Sequence, residues 1–344
     1  MKNEQIENII KSIKDFIIYE KNSLKSFNGL VIDLYKIHCD NNQEYNELCK
    51  NSKPLYWADV PLISSSLINE NSGLNIKTEM PFPGIKLHNE NKTFTHLLRD
   101  TELYKNSIAK SFQLHVLKEF SWVPWINYQS IYDNYLLNLT AADYALEYLA
   151  ETFHGNYRSQ IENYDDFFSN QLIEKYGDEE EEPLTVPTVL IMDEKNLFKL
   201  LDNCCNKNIE LPLGSIMIII QNQPKNIKPE LLNKACELFG LTSIMIMLCL
   251  SEISTNLYAT IKLNNIVSAN KNNSKLEPEY FVPHWMRIRV VHPDTNIEEI
   301  HGQMGAIVFY DLANAWSYPF LITDYSGRIG GKGGIIFEEI KNEF

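Results

Sequence analysis

The residues able to do chemistry are scattered along the chain. Its eight histidines do not fall at the spacings of metal ligands. His284 and His292 flank a strand-like segment and read as packing or surface residues. The six cysteines are Cys39, Cys49, Cys204, Cys205, Cys236 and Cys249. They form no CxxC pair, and the vicinal Cys204–Cys205 makes a poor disulfide framework. Most sit in apolar or helical stretches, which reads as small buried hydrophobes in a reducing compartment. No GxSxG elbow, HExxH, EF-hand loop or GxGxxG after a strand occurs. The run Gly330–Gly334 invites a phosphate-loop reading. In the GxxxxGK[ST] frame, however, the first glycine falls on Ser326 and Gly333 replaces the hydroxyl residue, so a hairpin turn is expected. Aromatic residues are dense at Trp122, Trp125, Tyr128, Tyr132 and Tyr135. Such a patch can line a pocket for an acyl or aryl group, though core packing is the simpler reading.

Composition narrows the classes further. The chain has 344 residues, of which 44% are hydrophobic and 22% charged, with a formal net charge of −14. That length buries a core without disulfides or metals. The acidic field repels phosphate backbones, so nucleic acid is excluded as a default partner. The acidic run Asp178–Glu182 reads as a solvated loop. The N-terminus mixes acids with bases and shows no apolar signal region. The longest apolar stretch, Leu238–Leu250, is too short to span a bilayer. A cytoplasmic protein with no membrane span is expected.

The elements that must position any site follow from periodicity. Ile6, Ile9, Ile10, Ile13 and Ile17 fall at helical spacing. Further helices are expected at Gly29–Cys39, Glu44–Cys49, Arg99–Glu119 and Ala141–Glu151. Ser52–Pro61 should be loop, and Asn71–Asn91, with Gly73, Pro81, Pro83 and Gly84, a long connection. Beyond the acidic run the pattern alternates. Thr185–Met192, Ser215–Gln221 and Ser243–Leu250 read as buried strands, and Glu194–Lys207 and Pro229–Phe239 as helices, the latter stopped by Gly240. Such alternation implies βαβ units with a mostly parallel sheet. Met286–Val291, Gly305–Tyr310 and Phe320–Thr323 predict a more antiparallel, barrel-like C-terminal part. Four regions are expected: a helical and α/β part at 1–177, the acidic loop 178–184, a βαβ part at 185–265 and a β-rich part at 280–344.

Short segments along almost the whole chain resemble one family. Leu34-Tyr35-Lys36 with Asn41-Asn42-Gln43-Glu44-Tyr45 is similar to "F-x-x-Q, x-N-N-P-x-Y". Val60–Ser64 is similar to "I-P-F-L-P-I-S". His96, Asp100, Tyr104 and Ser107 follow "S-x-H-x-x-x-D-x-x-x-Y-x-x-S". Pro283-His284-Trp285 with Arg287 resembles a "P-P-W" strand. Gly302, Gly305, Asp311, Leu312, Ala313 and Asn314 resemble "G-x-x-G-x-x-x-x-x-D-L-A-N". The chain therefore resembles the acyl-protein synthetases, the long-chain-fatty-acid–luciferin-component ligase type of bacterial fatty-acid reductase systems. They are a branch of the adenylate-forming superfamily. The resemblance implies an α/β fold, that of the adenylate-forming large domain with βαβ subdomains and a C-terminal β-barrel-like subdomain. It also implies chemistry in which ATP and a carboxylate give an acyl-adenylate, whose acyl group passes to a thiol.

Three nucleotide elements implied by the resemblance are altered. The phosphate loop "S-S-G-T-T-G" should fall near Lys86–Asn91, where glycine is absent and only Lys86 suits a phosphate. The "Y-G-M-T-E" motif falls on Leu248-Cys249-Leu250-Ser251-Glu252. Ser251 and Glu252 keep the hydroxyl and the carboxylate, the latter a Mg²⁺ ligand in an active enzyme. Leu248 replaces the aromatic that covers adenine. The ribose turn "T-x-D-x-G" reads Thr323-Asp324-Tyr325-Ser326-Gly327. Tyr325 stands at the acid's position, and Asp324, one residue early, should point to the other face. The family's small C-terminal domain with its lysine is not evident in the sequence, nor is a cysteine after Cys249.

These departures predict a catalytically degenerate member with no cofactor of its own, a binding or scaffolding subunit in an acyl-activation or fatty-acid-reductase type pathway. Its expected partner is an acyl-CoA reductase, an active ligase or an acyl-carrier protein, with an acyl or aryl carboxylate as ligand. The alternative is an active ATP- and Mg²⁺-dependent ligase using Ser251 and Glu252. A third reading makes Cys249, at a strand end, a nucleophile.

Overall fold

The computed structural model describes residues 2–19, 24–50, 52–65, 85–89, 92–98, 101–120, 126–132, 140–158, 160–163, 167, 175–176, 184–204, 209–292, 295 and 302–338. Helix α1 (Lys2–Tyr19) buries all five of the periodic isoleucines on one stripe. It meets α2 (Leu24–Asn41), which is longer than its periodicity predicted, and α3 (Gln43–Leu48) is capped by the Asn42 side chain. Ser52–Pro61 is irregular apart from one tight turn at Trp57–Asp59, and leads into strand β1 (Ile63–Ser64).

The connection expected at Asn71–Asn91 needs correction where it is described. Its end forms strand β2 (Ile85–Asn89), paired antiparallel with β3 (Lys92–Leu98). The period-two pattern there is short, and the prolines and glycines just before it hid it. Helix α4 (Thr101–His115) then leads to β4 (Asn127–Ile131), α5 (Ala141–Thr152) and β5 (Asn156–Arg158). A short pair, β6 (Lys175–Tyr176) and β7 (Leu184–Thr185), flanks the acidic run, whose residues 178–183 lie outside the described ones.

The expected alternation follows: β8 (Thr188–Met192), α6 (Glu194–Cys204), β9 (Ile216–Gln221), α7 (Pro229–Phe239) and β10 (Ser243–Leu248). Pro229 opens α7, and Gly240 closes it at φ 66°, a conformation that favours glycine. Strand β11 (Leu257–Lys262) and helix α8 (Leu263–Asn272) were not expected from the sequence. The six strands form one sheet in the order β11-β10-β9-β8-β4-β5. All its pairings are parallel except that of the edge strand β11. Alternation sends Leu190, Met217, Ile244 and Leu248 into a core under α6, α7 and α8. Val189, Ile218, Met245 and Cys249 face a second core under α4 and α5.

The C-terminal part is a second sheet built from β12 (Met286–Val291), β13 (Gly305–Asp311), β14 (Phe320–Ile329) and β15 (Ile335–Phe337). These pair antiparallel, and β1 joins β14 in parallel through Ile63↔Leu321. One face, with Met286, Val290, Phe309 and Tyr325, packs into the core beneath α6–α8. The other face, with Trp285, Val308, Tyr310 and Leu321, is covered by α1–α3. The glycine run forms the β14–β15 turn, with Gly330 N–H donating to Gly334 O at 2.9 Å. The Glu279 carboxylate accepts from the N–H groups of Lys332 at 2.7 Å and Gly334 at 3.0 Å. Those donors are thus already satisfied within the protein. No helix among the described residues is long and apolar enough to cross a membrane.

Candidate functional site

The carboxyl ends of parallel strands are where open α/β sheets bind ligands. Strand β10 ends there at Leu248, and the loop that follows, residues 249–256, is buried throughout. This loop carries Ser251 and Glu252. Ser251 Oγ donates to Glu252 Oε2 at 3.2 Å, and the Tyr325 hydroxyl donates to Glu252 Oε1 at 3.4 Å. The tyrosine that stands at the expected ribose aspartate thus touches the carboxylate that resembles the family's acid.

The loop is held in place by the second sheet. Asp311, at the end of β13, accepts from Ser254 N–H at 2.8 Å, Thr255 Oγ1 at 2.9 Å and Ala313 N–H at 3.0 Å. Burial pushes its carboxyl up to about 6, and these donors pull against that rise. Asn314 donates to Glu252 O at 3.1 Å and Tyr318 O at 3.0 Å, and accepts from Ser254 Oγ at 3.3 Å. Trp285 is fully buried and its indole N–H donates to Thr255 Oγ1 at 3.0 Å. Its neighbour His284 contacts Phe16 O of α1 through Nε2 at 2.8 Å, and the Arg287 guanidinium lies 4.5 Å from the Phe27 ring of α2. The P-H-W and D-L-A-N segments therefore converge on one loop, although some 25 residues separate them in sequence.

Other expected residues fall elsewhere. Leu248 is 0% exposed inside the core under α6–α8, so it offers a base no surface; strand pairing on both sides fixes it there. Along β14, Thr323 is buried, Asp324 exposed and Tyr325 buried. Thr323 Oγ1 donates to Ile307 O at 2.9 Å. Asp324 faces a cavity of about 660 Å³ shared with Ser64 and Glu338, which Glu252 does not line. Lys86 lies in β2 and His96 in β3, and their backbones belong to one antiparallel ladder; Asp100 lies outside the described residues. Four of the six residues expected in the phosphate loop, Lys86 to Asn89, are thus paired strand, and residues 90 and 91 lie outside the described ones. Cys249 is 1% exposed and burial raises its thiol, which removes the nucleophile reading. No group of three or more His, Cys, Asp or Glu able to hold a metal occurs among the described residues.

One feature of the site was signalled in the sequence only by Tyr132, one of the aromatic residues able to line a pocket. A cavity of about 610 Å³ opens where β4, β8 and β9 end, lined in part by Tyr132, Phe198, Ile220, Gln221 and Leu231. Four lysines, Lys195, Lys225, Lys228 and Lys234, stand around it against three acids, Asp193, Glu194 and Glu230. Tyr132 lines it and accepts from Asn222 Nδ2. Tyr128 is core, and Trp122, Trp125 and Tyr135 lie outside the described residues. Ser251 and Glu252 do not line this cavity; it adjoins the strand before them through Ile220 and Gln221, which pair with Met247 and Leu248 of β10.

The sequence matches no protein-family model and no curated protein. The fold does have solved counterparts. A 2-hydroxyisobutyryl-CoA ligase in the postadenylation state with 2-HIB-AMP aligns at a TM-score of 0.58 and 10% identity, over 93% of this chain and 66% of that one. An o-succinylbenzoate CoA synthetase of Bacillus subtilis aligns at 0.49 and 13% identity, over 76% of this chain and 50% of that one. A long-chain-fatty-acid–CoA ligase of Archaeoglobus fulgidus aligns at 0.47 and 13%, over 74% and 50%. The chain thus spans about half the length of the last two. Its α/β architecture, with a largely parallel central sheet and a second antiparallel one, resembles the large domain of adenylate-forming ligases.

Proposed function

We propose that this chain is a degenerate relative of the acyl-adenylating ligases that binds an acyl or aryl carboxylate without adenylating it. It serves as a binding or scaffolding subunit to an acyl-CoA reductase, an active ligase or an acyl-carrier protein. The observation that carries this reading is the β2–β3 hairpin. Its backbone groups pair with each other where a phosphate loop would present them to ATP. Two further observations agree. Leu248 is sealed in the core, and Tyr325 occupies the Glu252 carboxylate from the position where an acid would hold ribose. Adenylation rests mainly on stabilising charge on the transferred phosphates, and backbone groups already paired in β2 and β3 are not free to do so. The cavity at the strand ends supplies what a carboxylate needs, with lysines at its rim and Phe198, Ile220 and Leu231 as apolar wall.

Calorimetric titration tests this directly. A fatty or aryl carboxylate should bind with no requirement for ATP, and Lys228→Ala should weaken it several-fold. Micromolar ATP binding with pyrophosphate release in the presence of such an acid would overturn the reading.

The second reading, an active ligase using ATP and Mg²⁺, is favoured by one observation. Ser251 and Glu252 remain adjacent at 3.2 Å on the loop after β10. Glu252 would then be the Mg²⁺ ligand, and Glu252→Ala should abolish pyrophosphate exchange. Unchanged exchange in that variant would remove the role.

A further inference from the structure

The segment between α3 and β1 carries large apolar side chains on its outside. Leu55 is 88% exposed and Tyr56 48%. The hydrophobic effect draws such residues inward, yet here the backbone is pinned with them facing out. The Asn28 side chain of α2 donates to Leu55 O at 3.2 Å and accepts from Trp57 N–H at 2.6 Å. From the second sheet, Arg289 and the Tyr310 hydroxyl both donate to Ala58 O, at 2.8 Å and 3.2 Å. Leu55 and Tyr56 are therefore displayed on a fixed turn.

Two polar groups beside this turn have unused bonding capacity. The Phe27 ring of α2 meets the Trp57 ring edge-on at 6.0 Å and the Arg287 guanidinium at 4.5 Å. Trp57 in turn lies 5.5 Å from the Tyr56 ring. Arg287 is partly buried, and its two hydrogen bonds both leave from Nη1, to His284 O at 2.9 Å and Met286 O at 2.7 Å. It forms no ion pair among the described residues. The Trp57 indole N–H is buried and has no acceptor among them. A partly buried cation without a carboxylate and a buried donor without an acceptor both cost free energy until something supplies the partner.

We infer that this face docks a protein partner through a segment in which a bulky apolar side chain stands beside an acidic one. The apolar side chain covers Leu55 and Tyr56, and the carboxylate accepts from the free edge of the Arg287 guanidinium, a fork that matches its two oxygens. Tryptophan, tyrosine and arginine held together on fixed backbone have the make-up of an interface centre. Charge decides between occupants. The net charge of −14 repels a polyanion, whether an anionic membrane or a nucleic acid, over the whole surface. A single carboxylate at Arg287 feels mainly its near neighbours, because charges beyond ~8 Å are screened at physiological salt. Lys53 and Asp59, which flank the turn in sequence, are exposed and of opposite sign, so Arg287 sets the local balance. No residue of the strand-end cavity takes part, so ligand binding there is a separate question.

The test uses the full chain and a short fluorescein-labelled peptide. The peptide has one glutamate flanked by leucine and phenylalanine in a serine and glutamine background, and its control has glutamine in place of the glutamate. Fluorescence anisotropy should show the acidic peptide bound at least ~10-fold more tightly than the control. Arg287→Gln should bind the two peptides equally, a loss of discrimination that mere destabilisation does not produce. Leu55→Glu changes an exposed side chain, so the fold stays intact while binding of both peptides should be lost. In fluorine NMR of protein labelled with fluorotryptophan, the signal that disappears in Trp57→Phe should shift as the acidic peptide is added. No binding at ~1 mM peptide overturns the proposal, as does equal binding of both peptides to the wild type or full binding to Leu55→Glu. Phosphatidylserine vesicles that shift the Trp57 signal overturn it in favour of a membrane. A dimer in sedimentation that Leu55→Glu dissolves overturns it in favour of a second copy. The paired peptides on the wild type and Leu55→Glu decide even if Arg287→Gln fails to fold.

Discussion

Tyr325 shows how one substitution changes the logic of a site. An acid at this position would sit against the buried Glu252, and two carboxylates at such a contact cannot both ionise cheaply. A tyrosine instead donates a hydrogen bond at 3.4 Å and fills the space with a ring that packs edge-on against Phe337 at 6.0 Å. The neighbouring acid cannot substitute, because strand alternation turns Asp324 to the opposite face. Removing only the hydroxyl isolates the polar part of this contact. Tyr325→Phe should cost about 1 kcal/mol, the net value of one buried hydrogen bond, because Ser251 still donates to the carboxylate. Urea unfolding of the two proteins measures this, and equal midpoints would show that the hydroxyl contributes nothing. Tyr325→Asp should fail to create ATP binding, since it supplies charge beside Glu252 without rebuilding the hairpin.

The elements differ in how far the sequence revealed them, and the reason is physical. Strands β8, β9 and β10 were legible because each is a continuous run of apolar residues bounded by turn signals. Helix α7 was legible to the residue from Pro229 and Gly240. Strand β4 was not, although it is as buried as the others. Asn127, Gln129 and Ser130 break its apolar pattern, and only the fold shows their partners. Gln129 donates to Asn127 at 2.8 Å, and Ser130 donates to Asn156 O of β5 at 3.1 Å. The convergence of Trp285, Asp311 and Asn314 on the 249–256 loop was equally hidden, since each bond joins residues 30 to 62 apart in sequence. Beside β4, helix α5 carries a local device that can be tested alone. Thr140 and Asp143 form a reciprocal capping box, and Asp143 also accepts from the Tyr157 hydroxyl of β5 at 2.9 Å. Thr140→Ala should lower stability by about 1 kcal/mol. A loss well under half that would mean that the tyrosine bond alone holds the helix start.

At the scale of the whole molecule, charge and burial act together on stability. The net charge of −14 means that acidification from neutral pH relieves self-repulsion across the entire surface. Asp311 adds a local effect of the same sign at the joint between the two sheets. Its carboxyl rises from an ordinary value of 3.8 to about 6 in the folded protein, chiefly through burial. A raised folded value means that folding takes up a proton between those limits. The stabilisation is therefore fully present below the ordinary carboxylate range and is lost as the pH rises through about 6, with a size on the order of 2–3 kcal/mol. The two effects separate by comparison with Asp311→Asn. The amide keeps the shape but presents an NH₂ to groups that donate, so the variant should be less stable at every pH. It cannot titrate, so its stability should lack the local fall, while the surface effect is the same in both proteins and cancels in the difference. Urea unfolding in steps from about pH 4 to about pH 7 should therefore show the wild type losing its advantage as the pH rises. Parallel curves would assign the titration to another group. They would also mean that Asp311 is ionised over the whole range, held so by its three donors against the cost of burial.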